Sequence, residues 1–219
     1  METIAHNKYT VKEIRDLTPS TYVVRLERND MKFMPGQNLN LGLSGDTEKR
    51  DYSIYSRKNE EFLEILVKEV EDGLVSKKLK RMKPGDTLEV DGPFGFFTIK
   101  EENRYAKKFL FIASGTGIAP FHSITGSFPE INYTLIHGIR ELNEAYEKEH
   151  YPEGKYISCV SQEDGGDFRG RVTDYIKQHP VDNETICYLC GNVNMIYDVF
   201  DILKEQGVPS ENLHAEVYF

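Results

Sequence analysis

The chain has 219 residues, 39% hydrophobic and 29% charged, and its 36 acidic against 27 basic side chains leave a formal net charge of −9. That length holds one large domain or two small ones, and the acidic balance works against general nucleic-acid binding, since a phosphate backbone repels it. No run is apolar for long enough to span a bilayer, and METIAHNKYT lacks the basic lead and apolar core of a signal peptide, so no membrane span and a cytoplasmic location are expected.

Up to about residue 100, short alternating runs follow one another: YTVKEI, TYVVRLE, QNLNLGL, DYSIYS, FLEILVKEV, DTLEVDG and FGFFTIK. Period-two alternation predicts half-buried strands, and MPGQ, LSGDTE and KPGD supply the turns between them. One segment departs from that rhythm. SKKLKRMK sets Lys77, Lys78, Lys80, Arg81 and Lys83 among Leu74, Val75, Leu79 and Met82 at helical spacing, predicting one helix over about 74–81. Its basic face is either an ordinary solvated surface or a dock for an acidic protein or a phosphate. The whole reads as an antiparallel barrel or sandwich.

After EENRYAKK, strands alternate with helical segments. FLFIAS is followed by IAPFHSI, YTLIHG by ELNEAYE, YISCVS by GRVTDYIKQ and ICYLCG by NMIYDVFDILKE, before the chain ends in NLHAEVYF. Such alternation requires crossover connections and therefore a parallel sheet. Two domains are expected: an antiparallel β-barrel over residues 1–103 and an α/β domain with a parallel sheet over residues 104–219.

Gly115, Thr116 and Gly117 stand between an apolar strand and a helix with Pro120 in its first turn. Glycines there let the backbone approach a ligand, and the helix start favours a pyrophosphate, though a tight strand-to-helix turn alone has the same look. CGNVNM, from Cys190 to Met195, makes a second glycine turn, and both fall beyond carboxyl ends of strands, where open parallel sheets bind ligands. Arg140 in HGIR ends a strand on the same edge, placed for phosphate or ribose oxygens. In RDYSIYS, alternation puts Arg50 and Tyr52 on one face; a flavin dinucleotide would use the cation for its pyrophosphate and the ring for its flat end, and an ordinary strand with a surface arginine is the plain alternative. Cys159, Cys187 and Cys190 are an odd set. Cys187 and Cys190 spell C-x-x-C, but within a strand they face opposite ways and should not meet. None of the six histidines shows ligand spacing, and no metal site is expected.

In this setting RDYS resembles the R-x-Y-S flavin signature of the ferredoxin–NADP reductase family. The likeness continues in order through PGQ (Pro35 to Gln37, ahead of RDYS), VKEVEDGLVSKKL, GPFG, GTGIAP, HGIR, CGNVNM and the ending HAEVYF. It implies that Arg50 meets the FAD pyrophosphate, that its neighbour Asp51 also belongs to the FAD-binding set, that Tyr52 packs on the isoalloxazine and that Ser53 bonds near its reactive nitrogen. The segment from Val67, above all Gly73, Leu74, Val75 and Ser76, would hold the same pyrophosphate. Tyr218 would cover the other flavin face and Phe219 would pack on the adenine. Gly115, Thr116, Gly117, Pro120, Gly191, Asn192 and Met195 would receive the nicotinamide dinucleotide, with Arg140, Ser161, Gln162 and Arg171 around its ribose end. Ser53, Cys190, Glu216 and Tyr218 would line the hydride-transfer pocket.

The implied activity moves electrons between NAD(P)H and a one-electron carrier such as ferredoxin or flavodoxin, through bound FAD. Related alternatives are a free-flavin or ferric reductase, and an FAD subunit of a larger electron-transfer complex. NADPH users of the family commonly carry Ser-Arg where this chain has Ser161-Gln162; Arg140 and Arg171, with Arg169 nearby, tilt the expectation to NADPH, with NADH as the rival. No four-cysteine cluster exists for an iron–sulfur centre, so the acceptor is expected to be a separate protein. Oligomeric state is not legible.

Overall fold

The computed structural model describes residues 7–218, so Phe219 lies outside the described residues. The chain forms two compact units, one through Thr98 and the other from Ile99. In the first, β1 (Lys8–Asp16), β2 (Thr21–Glu27), β3 (Asn38–Leu43), β4 (Arg50–Ser53), β5 (Phe62–Lys68) and β6 (Thr87–Phe94) make an antiparallel sheet in the order β4-β3-β6-β1-β2-β5. It closes into a barrel because the chain just past β4 bridges β5 at Ile54 and Ile65, with Tyr55 N donating to Glu64 O at 2.7 Å. Alternate residues such as Val11, Leu39, Leu41, Ile65, Val67, Leu88 and Val90 fill the interior.

The predicted helix is α1 (Leu74–Lys80), which turns Val75, Ser76 and Leu79 inward. Two cations of its basic face are paired with carboxylates from within the unit. Lys78 pairs with Asp46 at 2.5 Å, Lys80 pairs with Asp16, and the Lys77 ammonium donates to the Glu71 carbonyl. Exposed pairs of this kind contribute at most about 1 kcal/mol each. FGFFTIK is not a strand of its own: β6 runs to Phe94, Gly95 takes φ 92°, and the chain beyond is irregular with Phe96 fully exposed.

The second unit contains β7 (Lys108–Ser114), α2 (Ala119–Ser127), β8 (Asn132–Ile139), β9 (Tyr156–Val160), β10 (Phe168–Arg169), α3 (Val172–Gln178), β11 (Ile186–Asn192), α4 (Val193–Glu205) and β12 (Leu213–Tyr218). All six strands are parallel, in the order β10-β9-β8-β7-β11-β12. The chain winds outward from β7 to β10, then returns to β11 on the other side of β7. The strand order therefore reverses between β7 and β11, the switch point at which such sheets open a crevice.

ELNEAYE, expected to be helical, is not an α-helix. The β8–β9 crossover instead carries two 3-10 turns, Leu142–Glu144 and Lys148–His150, separated by Glu147 in a left-handed conformation at φ 48°. Buried Tyr146 and Tyr151 anchor this irregular stretch, Tyr151 stacking on Tyr156 at 5.3 Å. All three cysteines are free and buried. Burial pushes the Cys187 thiol up to about 12 and the Cys190 thiol well above its ordinary value, so neither is poised for thiol chemistry.

Candidate functional site

In the barrel, register sets Arg50 opposite Leu41 and Tyr52 opposite Leu39, so both share the face of β3 that carries core residues. Tyr52 is half-buried against that core, and burial raises its phenol to about 12 while the Arg50 charge works the other way. Arg50 stays at the surface, held by Glu48 at 3.0 Å and the Lys49 carbonyl at 2.7 Å, with its side chain 59% exposed. A pair so exposed to water is easily exchanged for a phosphate. Asp51 accepts from Asn40 at 2.8 Å and is exposed, whereas Ser53 is buried at the strand's end. Val67 lies wholly in the core, so only its main chain could face a ligand.

Tyr22 ties the two halves of this barrel cradle together. It is fully buried, its hydroxyl donates to the Ser76 carbonyl, and burial followed by the nearby Tyr52 raises its phenol. Gly73 is the cap of α1, with no side chain bonding the first-turn amides. First-turn amides have no partner within their own helix and stand at its positive end, an arrangement suited to an anion. Ser76 Oγ accepts from Val70 N at 3.2 Å and sits where a Cβ on Gly73 would fall, 2.7 Å away, so Gly73 also keeps the loop tight. Leu74 is left 61% exposed beside it. A cation, a packed phenol, uncapped amides and an exposed apolar side chain together fit a flavin dinucleotide.

At the switch point of the parallel sheet, the two glycine turns touch. A Cβ on Gly117 would come within 2.3 Å of Cys190 O and 2.7 Å of Gly191 Cα, while Gly191, at φ 130°, would set one 2.4 Å from Ser114 Oγ. Ser114 Oγ in turn accepts from Asn192 N at 2.9 Å. Gly115 has φ 52° and open space beyond its Cα, and Pro120 stands at the first positions of α2. Thr116 is half-buried in the 3-10 turn Gly115–Ile118 that carries the chain into α2. Asn192 caps α4, accepting from Asn194 N at 3.0 Å and Met195 N at 3.3 Å, and Met195 packs partly on the core. Thus much of CGNVNM has a folding task of its own.

Along the same edge, Ser161 N donates to Ile139 O at 3.1 Å and Gln162 N to Arg140 O at 2.9 Å, bringing the ends of β8 and β9 together. Gly170 N bonds Val160 O at 2.8 Å, which leads Arg171 to this edge at the start of α3. Arg169 is held by Asp164. On β11 and β12, Cys190 faces Glu216, and the Tyr218 hydroxyl bonds the Cys190 thiol.

Sequence reasoning missed His137. It is completely buried, and since a carbonyl only accepts, its Nε2–H donates to Gly115 O at 2.8 Å while Nδ1 accepts from the Tyr156 hydroxyl at 2.8 Å. Burial, opposed by that carbonyl and by Glu144, lowers its pKa to about 4. This neutral imidazole fixes the left-handed glycine that opens the phosphate turn. HGIR contains it, but only the fold aims it at a residue 22 positions earlier.

Residues 8–99 match the oxidoreductase FAD-binding domain family and residues 111–201 the oxidoreductase NAD-binding domain family. The fold and the two matches therefore define a chain that joins an FAD-binding to an NAD-binding domain of the oxidoreductase kind. The chain belongs to the ferredoxin–NADP reductase family. It is 26% identical to ferredoxin–NADP reductase of Azotobacter vinelandii, over 92% of this chain and 90% of that one. It is 28% identical to the toluate 1,2-dioxygenase electron transfer component of Pseudomonas putida, over 95% of this chain and 66% of that one. The crystal structure of a Neisseria gonorrhoeae ferredoxin NADP+ reductase superposes with a TM-score of 0.87 at 21% identity, covering 97% and 98% of the two chains. The chain spans 60% to 66% of the length of the first dioxygenase components it matches.

Proposed function

We propose that the protein is an FAD-dependent reductase that moves electrons from NADPH to a separate one-electron protein carrier of the ferredoxin or flavodoxin kind. The observation that carries this reading is the contact of the two glycine turns at the sheet's switch point, in a chain whose barrel presents Arg50, Tyr52 and the uncapped start of α1. Bound FAD supplies the step from hydride acceptance to single-electron release. The protein's part is binding and orientation.

In this reading Arg50 exchanges Glu48 for the flavin pyrophosphate, the Gly73–Ser76 amides share that charge, and Tyr52 lies along the isoalloxazine. Ser53 borders the flavin from the barrel, and in the second unit Cys190 and Glu216 stand beside Tyr218. Gly115 to Gly117 and Gly191 present the nicotinamide dinucleotide, and Arg140 and Arg171 compensate for Gln162 at the 2′-phosphate, which favours NADPH. The domains take the limits 1–103 and 104–219, and the protein acts in the cytoplasm; no described helix is long and apolar enough to cross a membrane. The relatives named for dioxygenases support a second acceptor class, an oxygenase component.

Arg50→Ala tests the barrel half. A charge-assisted bond to phosphate is worth about 1.5–3 kcal/mol, so the variant should release FAD on dialysis at concentrations roughly ten- to a hundredfold above those tolerated by the parent. Flavin content after dialysis measures it, and equal retention would remove Arg50 from the pyrophosphate.

A further inference from the structure

Two stretches of the second unit, far apart in sequence, meet at a cluster separate from both cradles. His122 comes from α2, and Glu147 and His150 come from the β8–β9 crossover. His122 Nε2 stands 3.0 Å from His150 Nδ1, and the same Glu147 oxygen lies 3.7 Å from the first and 3.8 Å from the second. A point in their plane equidistant from these three atoms is about 2.0 Å from each, which is the bond length of Zn²⁺ to imidazole nitrogen and carboxylate oxygen. In a tetrahedral site two ligand atoms sit about 3.3 Å apart, so small movements suffice to close the shell. We propose that His122, Glu147 and His150 form a divalent transition-metal site of the Zn²⁺ class.

The donor set decides the class. Two imidazoles with one carboxylate suit a borderline ion, whereas Mg²⁺ and Ca²⁺ take shells of oxygen. Burial decides the form of the site. The His122 and Glu147 side chains are only 6% and 10% exposed, and that of His150 is 38% exposed, so two ligands are enclosed and the third opens to solvent. A fourth position would therefore be open to a water ligand. The Glu147 backbone, at φ 48° and ψ 40°, sits in a region a non-glycine residue seldom takes, and the bend turns its carboxylate onto both rings. His122 is further packed edge-on by Tyr151 at 6.2 Å. A bound ion would staple the β8–β9 crossover to α2. In the competing arrangement a proton bridges the two rings and no metal is involved.

The full chain, stripped with chelator and dialysed against Zn²⁺ or Mg²⁺, separates the two. The site predicts one retained Zn²⁺ per chain and a Zn²⁺-dependent rise in the unfolding temperature that Mg²⁺ does not reproduce. His150→Gln and Glu147→Gln should each weaken Zn²⁺ binding about 100-fold or more and abolish that rise. Because Glu147→Gln is nearly isosteric, it serves if the histidine variant folds poorly. Absence of retained Zn²⁺ in the parent, equal retention by parent and variants, or an equal response to Mg²⁺ would each overturn the proposal.

Discussion

Replacing Gly117 by alanine is expected to destabilise the second unit by about 3 kcal/mol or more. The new methyl would stand 2.3 Å from Cys190 O, 2.6 Å from Cys190 C and 2.7 Å from Gly191 Cα. These are main-chain atoms of β11, hydrogen-bonded on both sides to β7 and β12, so no side-chain rotation relieves the clash. Gly191 cannot retreat, being packed on Ser114. Gly154→Ala is the control: it also loses a glycine, at φ 75°, but its Cβ meets nothing within 4 Å, so only backbone strain of about 1 kcal/mol is expected. Urea unfolding of the two variants against the parent measures the difference. A Gly117→Ala loss no larger than that of Gly154→Ala would mean that the turns are not in contact.

Acid should weaken the same region through His137. Its folded pKa is about 4, lowered chiefly by burial, against about 6.5 unfolded. Between those values the unfolded chain takes up a proton that the folded chain refuses, so this contribution is fully present above pH 6.5 and falls away towards pH 4. The shift corresponds to about 3 kcal/mol. Carboxylates titrate in part of the same window, so His137→Gln supplies the comparison. From pH 7 to pH 4 the parent should lose about 3 kcal/mol more than the variant. Parallel losses would show that the imidazole is protonated in the fold or exposed to water.

The strands and helices were legible because their periods are local. Alternation in TYVVRLE and QNLNLGL marked barrel strands, and the 3.6-residue pattern after CGNVNM marked α4. ELNEAYE misled because its composition suits a helix, while Glu147 bends left-handed and Tyr146 and Tyr151 are drawn into the core. The pairing of Lys78 with Asp46 and of Lys80 with Asp16 was not legible, because those carboxylates are distant in sequence. His137 on Gly115, and His122 on Glu147 and His150, are contacts made by strand order and crossover, and no spacing rule encodes them. Of the candidate site, the glycines and Arg50 were visible as types. Their supports, Tyr22 beneath Ser76 and Ser114 beneath Gly191, were not.

The most direct test of the account is the visible spectrum of the purified protein, reconstituted with FAD and titrated without oxygen by NADPH and by NADH. Bound flavin should bleach with a reduced nicotinamide, at lower concentrations of NADPH than of NADH. A protein that retains no FAD, or whose bound FAD keeps its colour with both donors, would contradict it.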